Sequence, residues 1–461
     1  MHNSPIHTPH QSPLRRILAC VLGISLALFV AGCGQTASDS TSTATTETTG
    51  GTTQTDTTTT NASTDAATAP AAFDNNNIDY ATVFPSWKAD SKSLAEIVEF
   101  VKAVTDESSA DYVPPEDRIA TFDMDGTIIC EKAPFYIDWC MLLNRVLDNP
   151  SYNEPEYKPS PEAVKQCQEI RDTINAGEKP TEEMEKNKAR MIATEFAGLT
   201  QEQFREFAVN FAKSVDAVGF SGMTYGESWY KPMIEVINYL KANNFDVWMV
   251  SACEREFVRA IVPTVLDIPL DHIIGTDVSF EATKQGDEEY DKYNMEQGED
   301  VLLGEELGQE TAKAGKPIAI AREIGKQPIM AFGNSSGDYA MLNYAQSNPV
   351  YKGRGVLVLC DDYVREYGDE ARATEQTQIA NDEKWILIHM SDVDWATIYG
   401  EGVEKVALPG ATAADEAKTE AADETAKDDA ATETTDEAAA ETTDAAATET
   451  ADGETELQEA A

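Results

Sequence analysis

Thr121-Phe122-Asp123-Met124-Asp125-Gly126-Thr127 is the stretch that decides the fold. Ile119 and Ala120 lead into it, and a glycine and a threonine close it. The pattern predicts a strand over Ile119–Asp123 that stops at a turn around Asp125-Gly126. Residues two apart share a face of a regular strand. At a strand's carboxyl end, Asp123 and Asp125 can therefore both address one bound group. One carboxylate can attack an electrophile while the other moves protons. Taken alone, the same run also fits a simple Asp-Gly turn or part of a calcium loop.

Outward from this motif, further apolar runs read as buried parallel strands: Phe245–Val250, Pro328–Phe332, Gly355–Cys360 and Trp385–Ile388, with a shorter one at His272–Gly275. Helical periodicity lies between several of them. One helix starts near Pro232 and puts Met233, Val236, Ile237 and Leu240 on one face. Another runs from Glu254 to about Val262, where Pro263 ends or kinks it, and a third from Lys316 to Ile324. The alternation predicts an α/β fold with a doubly wound, mostly parallel Rossmann-like sheet. Its core is expected over residues 75–130 and 227–410. Residues 131–226 carry helix formers and the aromatics Phe135, Tyr136, Trp139, Phe196, Phe204, Phe207 and Phe211. Without sustained strand alternation, they read as an inserted helical cap domain.

The two ends have a different character. Arg15 and Arg16 precede an apolar run, Ile17–Ala31, that is short for a membrane span. It ends in Val30-Ala31-Gly32-Cys33, which resembles a bacterial lipobox; that resemblance implies a signal peptide over 1–32 and lipidation of Cys33. The protein is then expected outside the cytoplasm, lipid-anchored to the cell membrane. A plain signal peptide or a short anchor helix is the alternative. Residues 33–74 form a Ser/Thr-rich linker and 411–461 an acidic Ala/Thr/Glu/Asp tail, both expected to be disordered.

The chain holds 82 acidic and 35 basic residues, a net charge of −47. That argues against nucleic acid as a partner, because no basic footprint is present to neutralise phosphates. It does not argue against a small phosphorylated substrate held by a metal ion, whose own charge inverts the local balance. No specific protein partner is implied. The seven cysteines show no C-x-x-C spacing, so neither structural zinc nor a disulfide scaffold is expected.

Three more pieces complete a constellation. Ser251 follows the second long apolar run, Lys316 opens a helical segment, and Gly333-Asn334-Ser335-Ser336-Gly337-Asp338 follows the third run. Individually these are a helix cap, a solvated lysine and a polar turn. In order and setting, the four pieces resemble the haloacid dehalogenase superfamily, in the branch that looks like phosphoserine phosphatase, over most of residues 115–345. The resemblance implies Asp123 as nucleophile and Asp125 as general acid and base. It implies Ser251 on a phosphoryl oxygen and Lys316 against the nucleophile and the phosphate. It also implies Mg²⁺ held by Asp123, the Asp125 carbonyl and the acidic loop, through Asn334 and Asp338. The expected activity is magnesium-dependent hydrolysis of a small phosphomonoester through an aspartyl phosphate.

Asn334 departs from the family pattern, since many relatives carry aspartate there. A neutral amide attracts a cation less than a carboxylate does. This keeps open a catalytically silent surface lipoprotein that binds a small ligand. A carbon–halogen hydrolase is a further alternative, but it would leave Asp125 and the acidic loop without a purpose. Glu131 and Asp138, with Phe135, Tyr136 and Trp139, either recognise an amine through charge and cation–π contact or build the cap's core.

Overall fold

The computed structural model describes residues 73–132, 135–149 and 156–410. The signal segment, Cys33, all but the end of the linker and the acidic tail lie outside the described residues. No helix among the described residues is long and apolar enough to cross a membrane.

Helices α1 (Tyr80–Val83) and α2 (Lys92–Thr105) precede strand β1 (Ile119–Phe122). Helices α3 (Ile137–Leu143), α4 (Pro161–Asn175), α5 (Glu182–Glu195) and α6 (Gln201–Ser214) follow it. Ser160, Thr181 and Thr200 cap three of these helices, accepting from Ala163, Met184 and Gln203 N–H groups. A two-residue strand β2 (Phe220–Ser221) and helix α7 (Lys231–Ala242) lead back to the sheet. The chain then runs through β3 (Asp246–Glu254), α8 (Arg255–Ile261) and β4 (Ile273–Thr276). After a hairpin of β5 (Val278–Ala282) and β6 (Val301–Leu307) come α9 (Gly315–Glu323), β7 (Met330–Gly333) and α10 (Tyr339–Gln346). The chain continues with β8 (Arg354–Leu359), α11 (Glu370–Glu383), β9 (Ile386–His389) and β10 (Glu404–Lys405).

The central sheet has six strands in the order β4-β3-β1-β7-β8-β9, and every pairing in it is parallel. All six coincide with the apolar runs of the sequence. The pleat sends alternate residues to opposite faces. Ala120, Phe122, Met249 and Phe332 join one large core with α2, α7 and α8. Ile119, Val250, Ala331 and Leu357 join a second core with α9, α10 and α11. β1 lies in the middle, between β3 and β7, so its carboxyl end is the sheet's central exit.

The 131–226 segment holds helices α3 to α6, as its composition suggests, and also the two-residue strand β2. The β5–β6 hairpin was not anticipated. It is clasped to the turn between α5 and α6: Leu303 N–H donates to Leu199 O and Gly198 N–H to Leu303 O, both at 2.8 Å. β5 (Val-Ser-Phe-Glu-Ala) alternates apolar and polar residues over only five positions, and β6 (Val-Leu-Leu-Gly-Glu-Glu-Leu) does not alternate, so the periodic signal is short.

Candidate active site

Asp123 is the first residue past β1. Its N–H donates to Phe332 O at 3.0 Å, and the rings of Phe122 and Phe332 stack at 4.1 Å just behind it. Parallel pairing to β3 and β7 therefore fixes the backbone that carries its carboxylate. Lys316, at the first turn of α9, reaches across to the same point. Its Nζ donates to Asp123 Oδ1 and to Val250 O, each at 2.5 Å, and pairs with Asp338 Oδ1 at 2.8 Å. Burial pushes the Asp123 carboxyl up, Asp338 pushes it further and Lys316 opposes, leaving it raised to about 7. Burial alone would lower the Lys316 ammonium, but Asp123 and Asp338 outweigh it and raise it.

Asp125 is held differently. Its Oδ2 accepts from the Cys253 thiol at 3.1 Å, while its Oδ1 is buried without a hydrogen-bond partner. Burial first, then Asp138 and Asp123, push this carboxyl up to about 8. It is thus protonated at neutral pH, the state a general acid needs. Two carboxyls two residues apart therefore differ in surroundings, one facing a lysine and the other a thiol.

Gly126 adopts φ +78°, and a Cβ there would fall 1.9 Å from Asn334 Nδ2, so only glycine lets the turn meet the loop. Asp338 Oδ2 accepts from the N–H groups of Asn334 and Ser335, each at 3.0 Å. Its two oxygens are thus spent on shaping the loop and on Lys316. Asn334 Nδ2 donates to Glu131 Oε2 at 2.8 Å, and its main-chain oxygen accepts from Arg372 at 3.1 Å and Gln376 at 2.6 Å. Ser251 is buried on β3, one residue beyond the carbonyl that holds Lys316, and its Oγ accepts from Cys253 N–H at 3.1 Å.

The sequence-derived residues Asp123, Lys316 and Asp338 are in direct contact. Asp125, Ser251 and Asn334 lie around them at the ends of β1, β3 and β7. Lys326, the other lysine near β7, is exposed and pairs with Asp117 just before β1, at the amino ends of the strands. No three His, Cys, Asp or Glu side chains gather as a metal site among the described residues. The donors available are the Asp123 carboxylate, the Asp125 carbonyl and the Asn334 amide oxygen. Such a small set of hard oxygens fits Mg²⁺, which keeps several waters rather than filling a protein cage.

Two supporting pairs escape sequence reading. Glu131 pairs with Arg372 at 3.0 Å, across 241 residues, and Asp138 pairs with Lys188 at 2.5 Å, across 50. Nothing local signals either partner. They also consume both acids considered for amine recognition, while Phe135 and Trp139 are buried in the main core. A cavity of about 310 Å³ adjoins the site; Glu131, Tyr136, Trp139 and Arg372 are among its walls. All five cysteines among the described residues are free.

Residues 120–343 match the family model described as haloacid dehalogenase-like hydrolase. Over those residues the chain is similar to such hydrolases. No curated protein matches the sequence. Among solved structures, a protein of unknown function from Bordetella pertussis Tohama I is 15% identical, with 59% of this chain and 97% of that chain covered and a TM-score of 0.36. A conserved, functionally unknown protein from Anaerococcus prevotii is 14% identical, covering 64% and 91%, with a TM-score of 0.39. A phosphoserine phosphohydrolase-like protein from Francisella tularensis is 15% identical, covering 59% and 94%, with a TM-score of 0.30. Scores this low add nothing to the sheet topology described above.

Proposed function

We propose that this hydrolase domain is a magnesium-dependent phosphatase that cleaves small phosphomonoesters through an aspartyl phosphate on Asp123. The observation that carries the reading is the unequal carboxyl pair. Asp123 is oriented by Lys316, and Asp125 ends in a buried oxygen with no partner. In the reaction, the Asp123 carboxylate attacks phosphorus and the ester oxygen leaves with the proton of Asp125. Asp125, now a carboxylate, takes a proton from the water that cleaves the aspartyl phosphate. Lys316 reduces the repulsion between the attacking carboxylate and the phosphate dianion. In this reading the Ser251 hydroxyl donates to a phosphoryl oxygen. The Asp123 carboxylate, the Asp125 carbonyl and the Asn334 amide would hold Mg²⁺, which supplies further positive charge at the phosphoryl oxygens.

The test is hydrolysis of phenyl phosphate by the purified protein. Activity should vanish on chelation and return with Mg²⁺. Undiminished turnover after exhaustive metal removal would reject the mechanism. Asn334 favours a second reading, a fold that binds a phosphoester without turning it over. Tight binding of an ester with no product release would select it.

The lipid anchor at Cys33 is a separate proposal, supported by the Val30-Ala31-Gly32-Cys33 run. It places the enzyme outside the cytoplasm at the membrane. Cys33→Ala should release the protein from the membrane fraction or leave an uncleaved precursor. Equal membrane retention of mature protein would refute it.

A further inference from the structure

Lys132 lies nine residues after Asp123, on the wall of the cavity that adjoins the active site. It is only 4% exposed. Its backbone adopts φ +41°, a left-handed conformation that a side chain rarely takes without a reason. The ammonium rests over the rings of Phe220 and Tyr225, 5.3 and 5.2 Å from their centroids, and donates to Cys130 Sγ at 3.4 Å. Among the described residues, no carboxylate lies within ion-pair distance of it. A thiol and two rings are weak compensation for a desolvated ammonium with three donors.

The acids around the cavity are otherwise engaged. Glu131 is paired with Arg372. Glu366 accepts from the hydroxyls of Tyr230 and Tyr399 and from Tyr367 N–H; Lys132 attracts its carboxylate, but only from beyond ion-pair distance. The Asp369 carboxylate caps α11 by accepting from Arg372 N–H at 3.0 Å. Glu131 links the cavity to the active site, because it is both one of the cavity's walls and the acceptor of the Asn334 amide. A leaving group extending from a phosphate on Asp123 past Asn334 and Glu131 enters the space that Lys132 borders.

We propose that Lys132 is a specificity-determining residue that receives a carboxylate on the leaving alcohol, so that the preferred substrates are phosphate esters of hydroxy acids. The proposal rests on the phosphatase reading above. In it, the buried ammonium without an ion-pair partner has an explanation: the carboxylate that completes its surroundings arrives with the substrate.

The test pairs 4-carboxyphenyl phosphate with 4-carbamoylphenyl phosphate, which matches it in shape but is neutral. The wild-type protein should show kcat/KM about tenfold or more in favour of the carboxylate ester, mostly through KM, as a charge-assisted contact implies. In Lys132→Met the ratio should collapse to about one, whatever the absolute rates, and Lys132→Arg should restore it. Equal turnover of both esters by wild type, or an unchanged ratio in Lys132→Met, overturns the proposal and leaves the phosphatase reading standing. If neither ester is hydrolysed, it is the phosphatase reading that fails. Calorimetry with 4-carboxybenzyl and 4-carbamoylbenzyl phosphonate then decides the role of Lys132. Tighter binding of the carboxylate, lost in Lys132→Met, supports it; equal binding or none refutes it.

Discussion

Lys316 and Lys132 are both buried, at 1% and 4% exposure, and they are kept there by opposite means. Lys316 is saturated: two carboxylates and a carbonyl surround its ammonium within 2.8 Å. Lys132 has a thiol and two aromatic faces. A buried charge costs several kcal/mol unless partners repay it. The first lysine is repaid within the protein, so its site is assembled before any ligand arrives. The second is not, so its surroundings are built for something else. The difference separates a catalytic centre, whose geometry must pre-exist, from a recognition pocket, whose energy is completed on binding.

Substituting the two lysines should have opposite results. Lys316→Met leaves Asp123 and Asp338 as buried acids without a cation. Turnover should fall by roughly a thousandfold or more, and stability by about 3–5 kcal/mol. A variant within tenfold of wild-type activity would show that Lys316 is only structural. Lys132→Met removes an unpaired charge and keeps the side chain's bulk. Its stability in denaturant should match or exceed wild type, within about 1 kcal/mol. Marked destabilisation would mean that the ring and thiol contacts already repay the ammonium.

Asp125 gives the next largest effect. Asp125→Asn keeps the shape and removes the proton, so turnover of an alkyl phosphate should drop by about 10²–10⁴. The first step with an aryl ester should suffer much less, because a phenolate leaves without protonation. Equal losses for both esters would deny Asp125 the role of proton donor.

Much of this was legible in the chain, and the boundary has a physical reason. β1, β3, β7, β8 and β9 are apolar on both faces because helices cover both, and such runs stand out in a sequence. Asp123, Asp125, Ser251, Lys316 and the 333–338 loop announce themselves by following those runs or opening the next helix. The charge pairs Glu131–Arg372 and Asp138–Lys188 do not, since each joins elements far apart in sequence. The β5–β6 hairpin was hidden because its strands are short, mostly not buried, and alternate only in β5. Nothing in the sequence marks Lys132; only the rings of Phe220 and Tyr225 show it to be inside.

Glu254 offers the smallest effect and an acidic counterpart to Lys132. It is buried, caps α8 by accepting from Phe257 N–H at 2.7 Å, and has no cation within ion-pair distance among the described residues. Burial pushes its carboxyl from 4.5 up to about 8. The native state therefore holds a proton that the unfolded chain has released, so this group's contribution is fully present below pH 4.5 and fades as pH rises through about 8. Glu254→Gln should flatten the decline of Tm between pH 5 and 8. An unchanged slope would mean that Glu254 is ionised in the folded protein.

The central claim is that Asp123, oriented by Lys316, is the attacking group. Rapid quenching of the protein with ³²P-labelled phenyl phosphate and Mg²⁺, followed by peptide mapping, tests it most directly. The account predicts an acid-stable, hydroxylamine-labile label on the peptide containing Asp123, absent in Asp123→Asn. Label on Asp125 or Ser251, or single-turnover hydrolysis with no covalent label at any time, would contradict it.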